Sequence, residues 1–271
     1  MLGQELVKVF ENGEQNNELL KWGRAELDIS NEEQVLERIV NESPDLVINS
    51  AAYNDVDGCE TNFEIAKAVN GDGPVNIARA CQKVGAIFIH YGTDYVFAGD
   101  KKEGYTENDQ AVPISKYGQS KLMGEKALQE NDKTYVIRTS RLYGHPALSE
   151  GAKKSFVDVM LKLAEDRDKL DIVDEEYSNP TYVLDLAQQT KVLLDGDYKY
   201  GLYHGVNEGA CTWADFARET FRIAGKNVII NKVGSDKFPR PAKRPAYSSL
   251  INTKLPKSRK WEEALKDYLE K

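Results

Sequence analysis

Cysteine is scarce: Cys59, Cys81 and Cys211 are the only three in 271 residues, far apart and without paired spacing. That excludes a disulfide-stapled scaffold and a zinc motif, and reduced thiols of this kind point to a cytoplasmic protein with no metal site. No apolar run approaches the ~20 residues that a membrane helix needs, and the first residues mix charged and apolar side chains rather than forming a secretion signal. No membrane partner is expected. Positive charge is also short, with 36 Lys and Arg against 44 Asp and Glu for a formal net charge of -8. A phosphate backbone requires a basic face, so nucleic acid is not expected as a partner, although a local cationic pocket for a nucleotide remains open. Low-complexity stretches and short repeats are absent as well.

What is present is an alternation. With 41% hydrophobic residues, a chain of this length can bury one large α/β core, or a core with an appended lobe. Leu6, Val9 and Phe10 recur at helical spacing, as do Val35, Leu36, Ile39 and Val40 before Pro44. Asp45–Asn49 then reads as a strand, residues 62–84 as one long helix, and Ile87-Phe-Ile89 as a second strand. A helix from near Lys116 leads to a strand over Tyr135–Arg138. Such repeated strand–helix units predict an α/β fold with a doubly wound parallel sheet. After Gly151 the pattern loosens into a helix at Phe156–Ala164, a strand at Ile172–Val173 and a basic, proline-rich stretch from Phe238 to Pro245. The expected division is residues 1–150 as a dinucleotide-binding domain and 151–271 as a smaller, partly interleaved substrate lobe.

One spacing carries chemistry. Tyr117 and Lys121 in Tyr117-Gly-Gln-Ser-Lys121 share a helix face, so the ammonium can lie beside the phenol and favour its ionised form. A phenol tuned towards neutrality is a usable proton donor for a carbonyl. Exposed helices carry this pair often, so the pattern is weak alone. Its context is the apolar strand before Thr93, Asp94 and Tyr95, because open α/β sheets bind ligands at the carboxyl ends of their strands. A turn or cap is the competing account of Thr93 and Asp94.

Thr93, Tyr117 and Lys121 resemble the catalytic triad of the extended short-chain dehydrogenase/reductase superfamily. Within it, the chain resembles the dTDP-4-dehydrorhamnose reductase family. The matching stretches run in order along nearly the whole chain: Asn49-Ser-Ala-Ala-Tyr53 with Val56-Asp57, Thr93-Asp-Tyr-Val-Phe97, Tyr117 to Glu125, Arg138-Thr-Ser140, Pro180-Thr-Tyr-Val183, Gly201-Leu-Tyr-His204, and Pro239 to Pro245 followed by Ser248. The resemblance implies a Rossmann-like fold and reduction of the 4-keto group of a dTDP-6-deoxy-L-hexulose to dTDP-L-rhamnose, with Tyr117, Lys121 and Thr93 as catalytic residues. It implies NADPH or NADH as cofactor, and leaves room for Mg2+ and a homodimer. Two alternatives are a reductase or epimerase of another nucleotide sugar, and a non-catalytic subunit resembling the regulatory subunit of methionine adenosyltransferase.

Carried over residue by residue, the resemblance places Met1, Leu2 and Gly3 at the pyrophosphate and Asp28 and Ile29 at the adenine. Ala51, Ala52 and Tyr53 follow along the dinucleotide, and Tyr91, Tyr117 and Lys121 lie at the nicotinamide ribose. Ordinary packing or capping is the competing account of Asp28, Ile29, Tyr91 and the alanines. Lys21 and Arg24, close to where the resemblance places the end of the fold's second strand, tilt the cofactor towards NADPH, with solvated surface charge as the competing account. Thr93, Asp94, Tyr95, Arg141, Arg240 and Arg244 are expected at the substrate, the last two on a rigid cationic loop suited to a diphosphate. Two departures stand out: Gly92 where relatives carry serine, and Arg141 where they carry tryptophan at a substrate-associated position. The sequence also opens inside the glycine-rich turn, with Gly3 as its third glycine. The expectation is therefore that Met1 is internal to a longer natural sequence and that the central first strand is not represented.

Overall fold

The computed structural model describes residues 1–11, 18–146 and 154–270. Helix α1 (Leu2–Glu11) leads to α2 (Glu32–Glu42), which is capped by Asn31 accepting from the Gln34 amide. Ser43, in the left-handed region at φ 45°, ends α2 one residue before Pro44. Strand β1 (Leu46–Asn49) follows, then the short helices α3 (Gly58–Thr61) and α4 (Phe63–Ala66) and the longer α5 (Gly73–Val84). The single helix expected over residues 62–84 is broken by a π-helical turn at Lys67–Asp72. The Gly73 amide bonds back five residues to Ala68, and Pro74, at the start of α5, has no N–H to restore the normal ladder.

Strand β2 (Ile87–Thr93) runs to the tight turn at Asp94–Val96. Helices α6 (Lys116–Gly124) and α7 (Ala127–Glu130) then lead to β3 (Thr134–Thr139). Side chains alternate across β2. Phe88 packs with α2 and α5 residues Val35, Ile39, Ile77 and Cys81, whereas Ile89 and Tyr91 face the opposite core with Leu6 and Phe10 of α1. Helices therefore cover both faces of the sheet, as expected for a doubly wound fold.

The two-residue strands β4 (Leu142–Tyr143) and β6 (Thr181–Tyr182) pair with each other. Between them lie α8 (Phe156–Asp166) and β5 (Lys169–Val173), which contains the expected Ile172–Val173 strand. Helix α9 (Val183–Asp195) and strand β7 (Gly201–His204) return to the large sheet, whose order is β1-β2-β3-β7, all parallel. Helix α10 (Trp213–Ile223) and β8 (Ile229–Val233), paired with β5, build a smaller core of Met160, Leu170, Ile172, Ala214, Ala217 and Phe221. The last helix, α11 (Trp261–Glu270), rejoins the large core through Trp261, Leu265 and Tyr268. Residues after Gly151 thus contribute to both lobes. Among the described residues no helix is long and apolar enough to cross a membrane.

Among the described residues, no strand pairs with the outer edge of β1. A cavity of about 1330 Å³ lies along that edge, lined by Leu6, Phe10, Leu46, Ile48, Ile87 and Leu194 among others. Unpaired backbone groups beside apolar walls are suited to accepting an extended segment. Supplying this edge with a fused apolar strand of roughly 5–6 residues should raise Tm by about 5 °C, if it contributes ~2 kcal/mol. An unchanged Tm in a thermal scan would show that the edge gains nothing from a neighbour.

Candidate active site

The carboxyl ends of β2 and β3 bring Thr93 and Thr139 side by side in parallel register. Thr93 is buried; its hydroxyl donates to Asp94 Oδ1 at 3.2 Å and accepts from the Tyr95 amide at 3.2 Å, so it caps the turn. Helix α6 begins at Ser115, whose side chain accepts from the Gly118 amide. It packs so closely that a Cβ on Gly118 would lie 2.1 Å from the Tyr95 carbonyl oxygen, and one on Gly124 would lie 2.2 Å from that of Asn70. These glycines let the helix carrying Tyr117 and Lys121 approach the end of β2.

The half-buried Tyr117 ring meets Tyr95 edge-on, with centroids 5.6 Å apart and planes at 80°. Its hydroxyl is 3.5 Å from Asn54 Oδ1 and within the influence of the Thr93 hydroxyl. The expected acidification by Lys121 is corrected here. Burial dominates and pushes the Tyr117 phenol above its ordinary range, with Asp94 and Cys59 adding to the rise and the Thr93 hydrogen bond opposing it. Lys121 points elsewhere: its buried ammonium donates to the Tyr91 carbonyl oxygen at 2.7 Å. Desolvation lowers this ammonium to about 8, against an upward pull from Glu125.

Tyr91 also differs from expectation. Strand alternation turns its side chain into the α1/α9 core, where its hydroxyl meets Thr190 Oγ1 at 2.7 Å, so only its carbonyl contributes to the cleft. Asp94 is buried, with Oδ2 accepting from Ser248 Oγ at 2.6 Å, and burial raises its carboxyl. Its carboxylate therefore organises Thr93 and Ser248.

The cofactor positions divide in the same way. Gly3 opens the N-terminus of α1 towards the loop after β1, because a Cβ there would stand 2.9 Å from Ser50 Oγ. Met1 is partly buried beside it, and Leu2 is buried, leaving its backbone for a ligand. Free amides at a helix start, with a glycine cradle, suit a pyrophosphate. Ala51 is exposed, and its amide donates to Asn49 Oδ1; Ala52 and Tyr53 are half-buried in the same loop. Asp28 is exposed and accepts from the Ser30 amide and hydroxyl, which lower its carboxyl pKa, so it forms a turn ahead of α2. The Ile29 side chain is packed in the α2/α5 core. Lys21, expected near a cofactor phosphate, is exposed and paired with Glu11, while Arg24 is exposed. Among the described residues no group of three or more His, Cys, Asp and Glu is arranged to hold a metal.

The arginines expected at the substrate are all engaged within the protein. Arg244 makes two bonds to Asp57, at 2.6 and 2.7 Å, which hold that carboxyl down at about 2. Arg240 pairs with Glu176. Arg141, at φ 41°, lies over Trp213 with 3.9 Å from guanidinium carbon to ring centroid, and donates to the Cys211 and Glu176 carbonyl oxygens. Sequence reasoning missed Trp213, Glu176 and Asn70. Asn70 Nδ2 donates to the Tyr53 carbonyl oxygen and to Ser120 Oγ, while its Oδ1 accepts from the Tyr53 amide, clamping the cofactor loop to α6. The Asn-Gly-Asp-Gly-Pro run inside a helical pattern was its available signal; Glu176 and Trp213 had none.

Comparison with known proteins adds the following. The family described as RmlD substrate binding domain matches residues 1–271. The dTDP-4-dehydrorhamnose reductase of Mycobacterium tuberculosis is 41% identical over 231 residues, covering 83% of this chain and 72% of that protein. The crystal structure of a dTDP-4-dehydrorhamnose reductase from Clostridium acetobutylicum superposes with a TM-score of 0.93 at 38% identity, covering 99% of this chain and 95% of the other. That of the Bacillus anthracis reductase in complex with NADP gives 0.92 at 33% identity, with the same coverages.

Proposed function

The chain belongs to the RmlD substrate binding domain family, and from that membership we propose that it reduces the 4-keto group of a dTDP-6-deoxy-L-hexulose to give dTDP-L-rhamnose, using NADPH. The observation that carries this reading is the Tyr117 hydroxyl against that of Thr93 where β2 ends against α6, with Lys121 of the same helix holding the Tyr91 carbonyl oxygen two residues up the strand. Relatives sharing 38–41% identity are named for this reaction, and the one at 33% was solved with NADP.

The residues present fit a dinucleotide. The α1 N-terminus with Gly3 would hold the pyrophosphate, the Ala51–Tyr53 loop would follow the chain of the ligand, and Lys121 would meet the nicotinamide ribose. Bound there, the nicotinamide supplies hydride. Tyr117 supplies the proton to the oxygen of the reduced carbonyl. A phenol raised by burial stays fully protonated at neutral pH, so the proton is in place when the alkoxide develops. The Thr93 hydroxyl then steadies the phenolate or the substrate oxygen. Arg244 would receive the diphosphate by exchanging Asp57 for phosphate oxygens, and Arg240, kept in place by Glu176, would offer it the N–H donors that Glu176 does not take.

The direct test is nicotinamide absorbance with dTDP-4-keto-6-deoxy-L-hexose. Loss of absorbance dependent on both substrates is the expected result; cofactor binding without turnover would instead favour a binding module.

Lys121 gives a pH signature with two opposite signs. Its folded value of about 8 lies below the ordinary 10.5, so between those values the unfolded chain binds more protons. Through this group, stability should rise as pH climbs from about 8 to 10.5. Over the same window, affinity for the anionic cofactor should fall as the ammonium is lost. Denaturation and cofactor titrations across that range read both slopes, and Lys121→Met should flatten both. A Lys121→Met profile that parallels wild type would assign the titration elsewhere.

A further inference from the structure

Four chain segments meet at Glu176, in the loop between β5 and β6. Its side chain is 7% exposed, and both carboxylate oxygens are used. Oε1 accepts from Arg240 Nη2, and Oε2 accepts from the Trp213 indole N–H at 2.9 Å. Its backbone carbonyl oxygen accepts from Arg141 Nη2, while Arg141 Nη1 is held by the Cys211 carbonyl oxygen at 2.8 Å. Trp213, fixed at the first turn of α10, carries the Arg141 guanidinium on its ring face. Asp94 and Tyr95 both feel the Arg141 charge, so the stack stands near the carboxyl end of β2, where the sugar is expected. One buried anion therefore sets three groups: a guanidinium on the basic loop, an indole, and the guanidinium lying on it.

We propose that Glu176 is a positioning residue for nucleotide-sugar binding, holding Arg240 towards the diphosphate and the Arg141–Trp213 stack as the wall against which the sugar ring is seated. This rests on the reading of the site as a dTDP-sugar reductase. A carboxylate is needed because it accepts on both oxygens. The isosteric amide accepts on one only and turns an N–H towards either Arg240 or the indole. Two of the five Arg141 N–H donors are spent on carbonyls, so others remain for ring oxygens. The wall thus selects a sugar that presents hydroxyl or carbonyl oxygens to it.

The experiment compares binding of dTDP and of dTDP-L-rhamnose by calorimetry in wild type, Glu176→Gln, Arg240→Ala and the double variant, with kcat and KM for the keto sugar. Wild type should bind the sugar nucleotide more tightly than dTDP. Glu176→Gln should weaken dTDP about tenfold, the scale of one charge-assisted hydrogen bond, and should also erase the extra affinity given by the sugar. KM should rise with kcat within about twofold, since the residue touches no reacting atom. If Glu176 acts through Arg240, the double variant should bind dTDP no worse than Arg240→Ala alone. Additive losses for dTDP, or a sugar increment that survives Glu176→Gln, would overturn the proposal. Should Glu176→Gln fail to fold, Trp213→Phe leaves an aromatic face but removes the indole N–H bond to Glu176 and part of the surface under Arg141, and the sugar increment should shrink; if it does not, the wall is not there. Failure of wild type to bind dTDP at all would count against the reductase reading itself.

Discussion

Tyr117→Phe should lower kcat by about 10²–10⁴-fold, the contribution of a positioned general acid, while cofactor affinity stays within about twofold. The variant keeps the ring that meets Tyr95 edge-on at 5.6 Å, so local packing survives. The lost hydroxyl gives up a long contact of 3.5 Å to Asn54 and its hydrogen bond with Thr93, so about 1 kcal/mol of stability goes with it. What disappears is the proton that the carbonyl oxygen needs as hydride arrives. Because burial holds the phenol above its ordinary range, this donor is loaded throughout neutral pH, and its titration should not appear as an activity limb below about pH 10. Single-turnover absorbance, together with a cofactor titration, separates chemistry from binding. An unchanged single-turnover rate would remove Tyr117 from proton transfer and shift the search for the acid to Thr93.

The elements that sequence alone revealed are those whose environment is uniform along their length. Strands β2 and β3 are buried on both faces, so each shows a short apolar run, Ile87-Phe-Ile89 and Tyr135-Val-Ile137. Strand β7 did not, since four residues reading Gly-Leu-Tyr-His at the sheet edge carry no periodicity. Likewise Tyr117 and Lys121 were legible because four-residue spacing on a helix is a local rule. What their environment does to them was not legible. The direction of the Lys121 ammonium depends on the Tyr91 carbonyl 30 residues away, and Tyr91 turns inward only because strand parity aligns it with Ile89. The cationic loop was visible as composition. Its counter-ions were not, since Asp57 lies 187 residues before Arg244 and Glu176 lies 64 before Arg240. Charge pairs of that range are set by topology.

The second large effect is on stability and lies behind the same strands. Arg138 on β3 and Glu125 after α6 form a bidentate pair, both bonds at 2.7 Å, with side chains 4% and 9% exposed. The guanidinium carbon also stands 5.0 Å from the Phe97 ring centroid. Gly92 belongs to this arrangement: a Cβ there would meet Arg138 Cγ at 3.0 Å and Glu125 Oε1 at 3.2 Å, so its absence leaves the pair room. Arg138→Met should cost about 3–5 kcal/mol, because it leaves a buried carboxylate without its partner. Tm should fall by roughly 6–20 °C for a domain of this size. Replacing both residues, Glu125→Leu with Arg138→Met, should recover most of that loss, since a packed apolar pair needs no desolvated charge. Denaturant curves with unchanged m-values would assign the change to the folded state. The pair also reaches the site. Glu125 raises the Lys121 ammonium, and freed from Arg138 its charge should act more strongly on that lysine. In the single variant, provided it folds, the alkaline loss of cofactor affinity should therefore move above about 8, and in the double variant it should move below it. A pH midpoint that stays fixed in both would show that the buried pair supports the sheet without touching the proton held at Lys121.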